Sequence, residues 1–294
     1  MRARAAIGAA LCGAALALAA CAPRSEVARP EGLAPTAADV ERHQSARLAA
    51  LPSFALRGHA EIRWREGKTE HFDDGDFDLV ARPPSEMSLR LSKLGERVLW
   101  IGSGEGMWWT VFPRDQPSRA VLRDWLGSES EVTPVDGTLT EVLSPHRLFE
   151  ALGLAPIAAT DVVQIDWDAE RGAWAITLRG RRVFARGESL LPVAVEWFGK
   201  DGSAVASCEL DAFQWPSGVR PAGASDAGAK PLLATRMRIA SWGSAGGSRA
   251  NPDSEASLAA ETPSFGADRI KPQIFRWADV QAALRPEVVE RSAP

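Results

Sequence analysis

From Phe54 to Trp64 the residues alternate between apolar and polar at period two. Phe54, Leu56, Ala60, Ile62 and Trp64 fall on one face; Arg57, His59, Glu61 and Arg63 fall on the other. Such alternation requires an extended strand with one buried and one solvated face, which is the signature of an antiparallel sheet. The pattern recurs in Ser85–Ser92, with Met87, Leu89 and Leu91 opposite Glu86, Ser88 and Arg90. Further strand signals lie at Thr69–Ala81, Arg97–Ile101 and Met107–Phe112, the last two joined by the hairpin loop Gly102–Gly106. After an interruption they resume at Val162–Asp168, Ala173–Leu178, Arg181–Ala185, Leu191–Phe198, Ala204–Phe213 and Leu233–Trp242. About eleven short strands with connections too short for parallel crossovers predict an antiparallel, strongly curved sheet with helices over one side.

The remaining segments divide the chain. Thr36–Leu51 reads as a helix, with Thr36 and Asp39 in capping-box spacing and Pro52 at its end. Ser144, Pro145 and Gly153 bracket a second helix whose apolar face is Leu148, Phe149 and Leu152. Ser118–Leu126 reads as a short helix, and Ile270–Leu284 as a short strand with a turn of helix. Asp73-Asp74-Gly75 reads as a break or bulge in its strand. The Gly, Ala, Ser and Pro content of 216–231 and 243–263 predicts low-complexity loops. The expected organisation is a signal peptide over 1–20, a tether over 21–35, one domain over 36–284 and a tail over 285–294.

The amino terminus is a secretory signal: Arg2 and Arg4, then an apolar core from Ala5 to Ala17. It ends in Leu18-Ala19-Ala20-Cys21, which resembles the bacterial lipobox. The resemblance implies cleavage before Cys21, a diacylglycerol on its thiol and an acyl group such as palmitate on its new amino group. Cys12 follows Leu11, too bulky for that motif, and belongs to the apolar core. An Asp after the lipidated cysteine is the inner-membrane retention signal of such proteins. Ala22 stands there, so the expected location is the periplasmic face of the outer membrane. Several acyl chains on one cysteine anchor firmly, since each buried methylene contributes about 0.8 kcal/mol. Pro23–Gly32 then reads as a solvated tether. Cys208 is the one thiol left and reads as a small buried hydrophobe.

Removing Arg2 and Arg4 turns the formal charge of −4 into −6, which excludes the basic footprint of a nucleic-acid binder. None of the four histidines, His43, His59, His71 and His146, has zincin spacing, so no metal is expected. Asp73, Asp74, Asp76 and Asp78 fail the EF-hand pattern and read better as a hairpin turn. There is no Gly-x-Ser-x-Gly elbow, no phosphate-binding glycine loop and no dinucleotide fingerprint. No catalytic residue and no cofactor is expected, and the chain reads as a non-enzyme.

The eleven tryptophans are spread over nearly every strand. Each buries about 150–250 Å², so they either fill a core or line an apolar cavity. The lining candidates are Ile62, Trp64, Leu89, Leu91, Trp100, Trp109, Ile176, Trp197 and Leu210. Both readings use the same residues, and the sequence leaves both open.

Several motifs, in order, resemble the LolA/LolB-like superfamily of periplasmic lipoprotein carriers and outer-membrane receptors. They are Leu56-Arg57-Gly58, then Arg82-Pro83-Pro84-Ser85-Glu86-Met87-Ser88-Leu89-Arg90, then Gly106-Met107-Trp108-Trp109 with Pro113. The resemblance spans about Ala38 to Phe213. It implies an unclosed eleven-strand half-barrel with a helical lid and a cavity for lipoprotein acyl chains. In the receptor branch an apolar residue protruding between the third and fourth strands meets the membrane. Leu94 is the bulky apolar residue of that connection here, although it reads equally well as a strand end. The expected partners are the membrane through the N-terminal lipid and acyl-chain or lipoprotein cargo. The alternative is an assembly lipoprotein binding a periplasmic protein partner, without a ligand cavity.

Overall fold

The computed structural model describes residues 27–32, 34–124, 143–199, 201–218, 232–242, 248, 251–265 and 270–291. The first half of the sheet is β1 (Phe54–Glu66), β2 (Thr69–Arg82), β3 (Glu86–Lys93), β4 (Glu96–Gly104), β5 (Met107–Phe112) and β6 (Arg119–Asp124). The second half is β7 (Val162–Asp168), β8 (Ala173–Leu178), β9 (Arg181–Arg186), β10 (Leu191–Phe198), β11 (Ala204–Gln214), β12 (Leu233–Ser241) and β13 (Ser254–Ala260). Two short strands, β14 (Ser264–Phe265) and β15 (Val288–Arg291), complete it. All join one open sheet in the order β15-β6-β5-β4-β3-β2-β1-β13-β12-β11-β10-β9-β8-β7, with β14 beside β1. Among the described residues three α-helices accompany it: α1 (Ala37–Ala50), α2 (Pro145–Ala151) and α3 (Trp277–Leu284).

The expected alternation is the observed one. β1 and β2 pair in the register Leu56↔Leu79, Gly58↔Phe77, Ala60↔Gly75 and Ile62↔Asp73, so these residues share one face. Leu89 and Leu91 continue it on β3 and Leu99 and Ile101 on β4, all buried. The curvature follows from α2, which packs against β3 and β4 and also against β10 and β11. Seven strand steps separate β4 from β10, about 34 Å on a flat sheet at ~4.8 Å per step. A helix only ~10–12 Å across touches both only because the sheet rolls around it.

α1 and α2 occupy this inner face, in one cluster with residues of β1–β4 and β8–β13. Thr36 Oγ1 accepts from Asp39 N at 3.2 Å and Asp39 Oδ2 accepts from Thr36 N at 2.9 Å, the expected capping box. α3 lies on the opposite face, where Trp277 and Val280 cover Trp100, Trp109, Val111, Ala120 and Leu122.

Six expectations need correction. Within Ser118–Leu126, residues 119–124 form β6, not a helix. Ala120 and Leu122 are buried at period two, and the pairing with β5 outweighs local helix propensity. Asp73-Asp74-Gly75 is neither break nor turn, because β2 pairs with β1 straight through it. The low-complexity span 243–263 contains β13, a central strand. Its Ala256 and Leu258 point inward between β1 and β12, and its small residues mask the alternation. Most of 216–231 lies outside the described residues. The tail 285–294 contributes β15, which pairs with β6 in parallel, a departure from the antiparallel sheet. Ile270–Leu284 holds a 3-10 turn, Pro272–Phe275, and α3 rather than a strand. Finally, the tether 21–35 is not wholly solvated: Val27 N donates to Ala169 O at 2.8 Å, and Ala34 packs on the inner cluster.

Candidate functional site

The helix α1 presents Val40, Gln44, Arg47 and Ala50 as one buried stripe, the spacing that aligns side chains along a helix. Two of the four are polar, and both reach the end of α2. Gln44 Nε2 donates to Gly153 O at 2.8 Å and to Ala155 O at 2.6 Å. Arg47 Nη2 donates to Leu152 O at 3.2 Å. A helix end leaves its last carbonyls without intrahelical partners and carries partial negative charge. Gly153, at φ +64°, turns the chain out of the helix and aims those carbonyls at α1.

The Arg47 guanidinium has no ion-pair partner among the described residues, and its Nε is buried without a hydrogen bond. Burial pulls its pKa down to about 10. A buried cation with one carbonyl partner is a costly arrangement. This hold on the end of α2 is therefore specific but carries an electrostatic penalty.

A second polar cluster holds the body of α2. Glu150 accepts from Arg181 Nη1 through Oε1, from Arg147 Nη1 at 3.3 Å and from Trp197 Nε1 at 2.5 Å. Burial alone would raise the Glu150 pKa, but the two guanidiniums outweigh it and hold the carboxyl below the usual range. Around these contacts Leu143, Leu148, Phe149, Leu152 and Leu154 are at most 1% exposed.

The space inside the rolled sheet is thus filled, largely by α2 and its flanks. A shallow rim pocket enclosing only about 20 Å³ lies beside Ala60, Ile62, Asp73, Gly75, Leu91 and Val98. It is smaller than the ~300–1,000 Å³ of typical ligand sites.

Of the nine lining candidates, Ile62, Leu89, Leu91, Ile176, Trp197 and Leu210 are buried in the inner cluster, and Trp64 is half-buried beside it. Trp100 and Trp109 are not inside. They belong to the outer cluster under α3, Trp109 lying 5.9 Å from the Trp277 ring and Trp100 Nε1 donating to Ser88 Oγ at 2.9 Å. On β4 and β5 both faces are covered, so an aromatic residue there does not reveal its side. Gln44 and Arg47 escaped the sequence reading because polar residues in a capped surface-like helix carry no burial signal.

Leu94 sits in the two-residue turn between β3 and β4 and is 95% exposed. It has φ +53° and Gly95 has φ +81°, a turn in which both residues favour Gly, Asn or Asp. A leucine there is strained as well as solvated. Cys208 is buried, and burial pushes its thiol pKa well up. Asp73 and Asp74 are ion-paired with Lys93.

No protein-family model and no curated protein matches the chain. Among solved structures it is similar to a LolA superfamily protein from Nitrosomonas europaea. The TM-score is 0.46 at 11% identity, over 83% of this chain and 99% of that one. A DUF1329 family protein from Desulfovibrio piger gives 0.46 at 10% identity, over 84% and 100%. An outer membrane lipoprotein-sorting protein domain from Vibrio parahaemolyticus gives 0.44 at 9% identity, over 84% and 97%.

Proposed function

We propose that this chain is a lipid-anchored binding protein at the periplasmic face of the outer membrane. Its cargo is the acyl chains of lipoproteins, taken into the rolled sheet in place of α2. The observation that carries the reading is what fills the interior. A seven-residue helix, held by Gln44, Arg47 and Glu150, occupies the space that the sheet's own side chains leave open. Moving it out would expose a face of Leu, Ile, Met, Phe and Trp side chains, suited to a fatty chain through dispersion contact and few polar demands. Cys21 carries the anchor, and Leu94, strained and exposed, meets the bilayer.

The test uses the chain with Cys21→Ser, which cannot be acylated, and a fluorescent palmitoylated lipopeptide. Saturable binding is expected, and an engineered disulfide joining α1 to the segment after α2 abolishes it reversibly. Absence of binding with or without the disulfide overturns the reading. The small size of the rim pocket favours a second reading, a scaffold that binds a protein partner. Crosslinking in membranes would then trap one dominant protein while the lipopeptide stays unbound.

A further inference from the structure

The residues just before α1 are fastened to the β7–β8 hairpin. Val27 N donates to Ala169 O at 2.8 Å, and Val27 O accepts from Trp167 Nε1 at 3.0 Å. The Arg29 guanidinium lies 5.0 Å from the Trp174 ring centroid, and Trp167 meets Trp174 edge to face at 5.2 Å. The seat is aromatic and cationic, but the contacts are few and Val27 is 48% exposed. Trp174 also belongs to the inner cluster around α2, so this seat is continuous with the apolar interior.

Successive turns of an antiparallel sheet alternate between its two rims. Trp64 pairs with Ser254, Ser254 with Ser241 and Ser241 with Ala206. Phe198 then pairs with Ala204, Trp197 with Arg181, and Leu178 with both Arg181 and Val162. These residues mark one rim, which also carries the β3–β4 turn and Leu94. The β7–β8 turn, next to Asp168 and Ala173, lies on the other.

Cys21 precedes Val27 by six residues, which span at most about 20 Å when fully extended. The eight residues of β3 alone run about 26 Å from rim to rim. If Val27–Arg29 let go, the first described residue packed against the inner cluster is Ala34, thirteen residues from Cys21, and the leash reaches about 45 Å.

We propose that Val27–Arg29 is a strap that sets which rim of the anchored protein faces the bilayer. Engaged on Trp167 and Trp174, it keeps the β7–β8 rim over the membrane and turns Leu94 away. Released, it more than doubles the leash and brings Leu94 to the lipid. The inference rests on the reading that Cys21 is lipidated and Leu94 meets the bilayer.

The test is made on the full lipidated chain in phosphatidylethanolamine–phosphatidylglycerol vesicles with brominated acyl chains. A fluorescent dye is attached through Leu94→Cys; Cys208 is buried and stays unlabelled. Three forms are compared: strap intact, strap disabled by Arg29→Ala with Trp167→Phe, and strap intact with a flexible Gly/Ser insertion after Pro23. Lipid quenching of the dye is expected to be weak in the first and several-fold stronger in the other two. Amide exchange at Val27 should speed up only in the disabled form. Equal quenching in all three forms overturns the strap but leaves Leu94 as the membrane contact. Quenching in the insertion form alone overturns release as the controlling step. No quenching in any form overturns the Leu94 reading and the strap with it.

Discussion

Arg47 Nη2 donates to Leu152 O at 3.2 Å, joining a buried guanidinium to the last turn of a helix 105 residues further along the chain. Gln44 adds two bonds one turn earlier on α1, so two side chains supply three of the contacts that close α2 into the sheet.

Replacing Gln44 by Leu leaves the buried carbonyl of Gly153 and the half-buried carbonyl of Ala155 without these donors. Each unsatisfied group costs about 1–3 kcal/mol, so α2 should open more readily by about 2 kcal/mol or more. Hydrogen exchange at Leu148–Leu154 should accelerate by at least about tenfold, while exchange in β2 and β12 stays unchanged.

Glu150→Gln removes the negative charge that faces both Arg181 and Arg147 in a place where their side chains are 18% and 10% exposed. Removing one partner of a buried ion cluster typically costs about 3–5 kcal/mol, read as a lower midpoint in urea. The pH dependence has a definite sign. The folded carboxyl titrates below its ordinary 4.5, so its contribution is complete above that pH and is lost as the pH falls through the depressed folded value. Between neutral pH and the acid limb, the Gln variant should lose less stability than the parent.

Gly102 faces the Trp109 indole so closely that a Cβ would lie 2.6 Å from ring atoms. Gly102→Ala should overpack the outer cluster and cost about 1–3 kcal/mol. Thermal unfolding measures it, and Trp277→Leu, which frees space beside Trp109, should recover part of the loss.

Leu94 occupies a left-handed turn position while exposing an apolar side chain. Leu94→Asn should raise the melting temperature slightly, since the strain removed is about 1 kcal/mol. On the proposed function it should also reduce contact with lipid vesicles. A variant that is more stable and still inserts equally well would remove Leu94 from the membrane contact.

The period-two alternation in β1 is legible because one face of this strand meets the core and the other meets water; β3 keeps the alternation because its outer face, with Ser88 under Trp100, is covered through polar side chains. It failed where that condition fails. β13 is built from Ser and Ala between two other strands, so its composition looks like a loop while its backbone is fully paired. Trp100 and Trp109 read as interior residues because a strand covered on both faces hides the direction of its side chains. The strand at 119–124 reads locally as a helix because its partner β5 precedes it in the chain but supplies the deciding hydrogen bonds only in space.

The sequence by itself determined the class of sheet, the capped first helix, the second helix with its Pro and Gly bounds, and the burial of Cys208. The first three follow from spacing within a few residues, where backbone geometry and local hydrogen bonds decide, and the last from the apolar character of a free thiol. Only the tertiary structure decided what fills the rolled sheet, which polar side chains hold it there, and which rim the Val27–Arg29 segment grips. Those outcomes depend on residues more than a hundred positions apart, such as Arg47 with Leu152 and Val27 with Ala169. No local pattern encodes the meeting of such groups, because it is set by how the whole sheet curls.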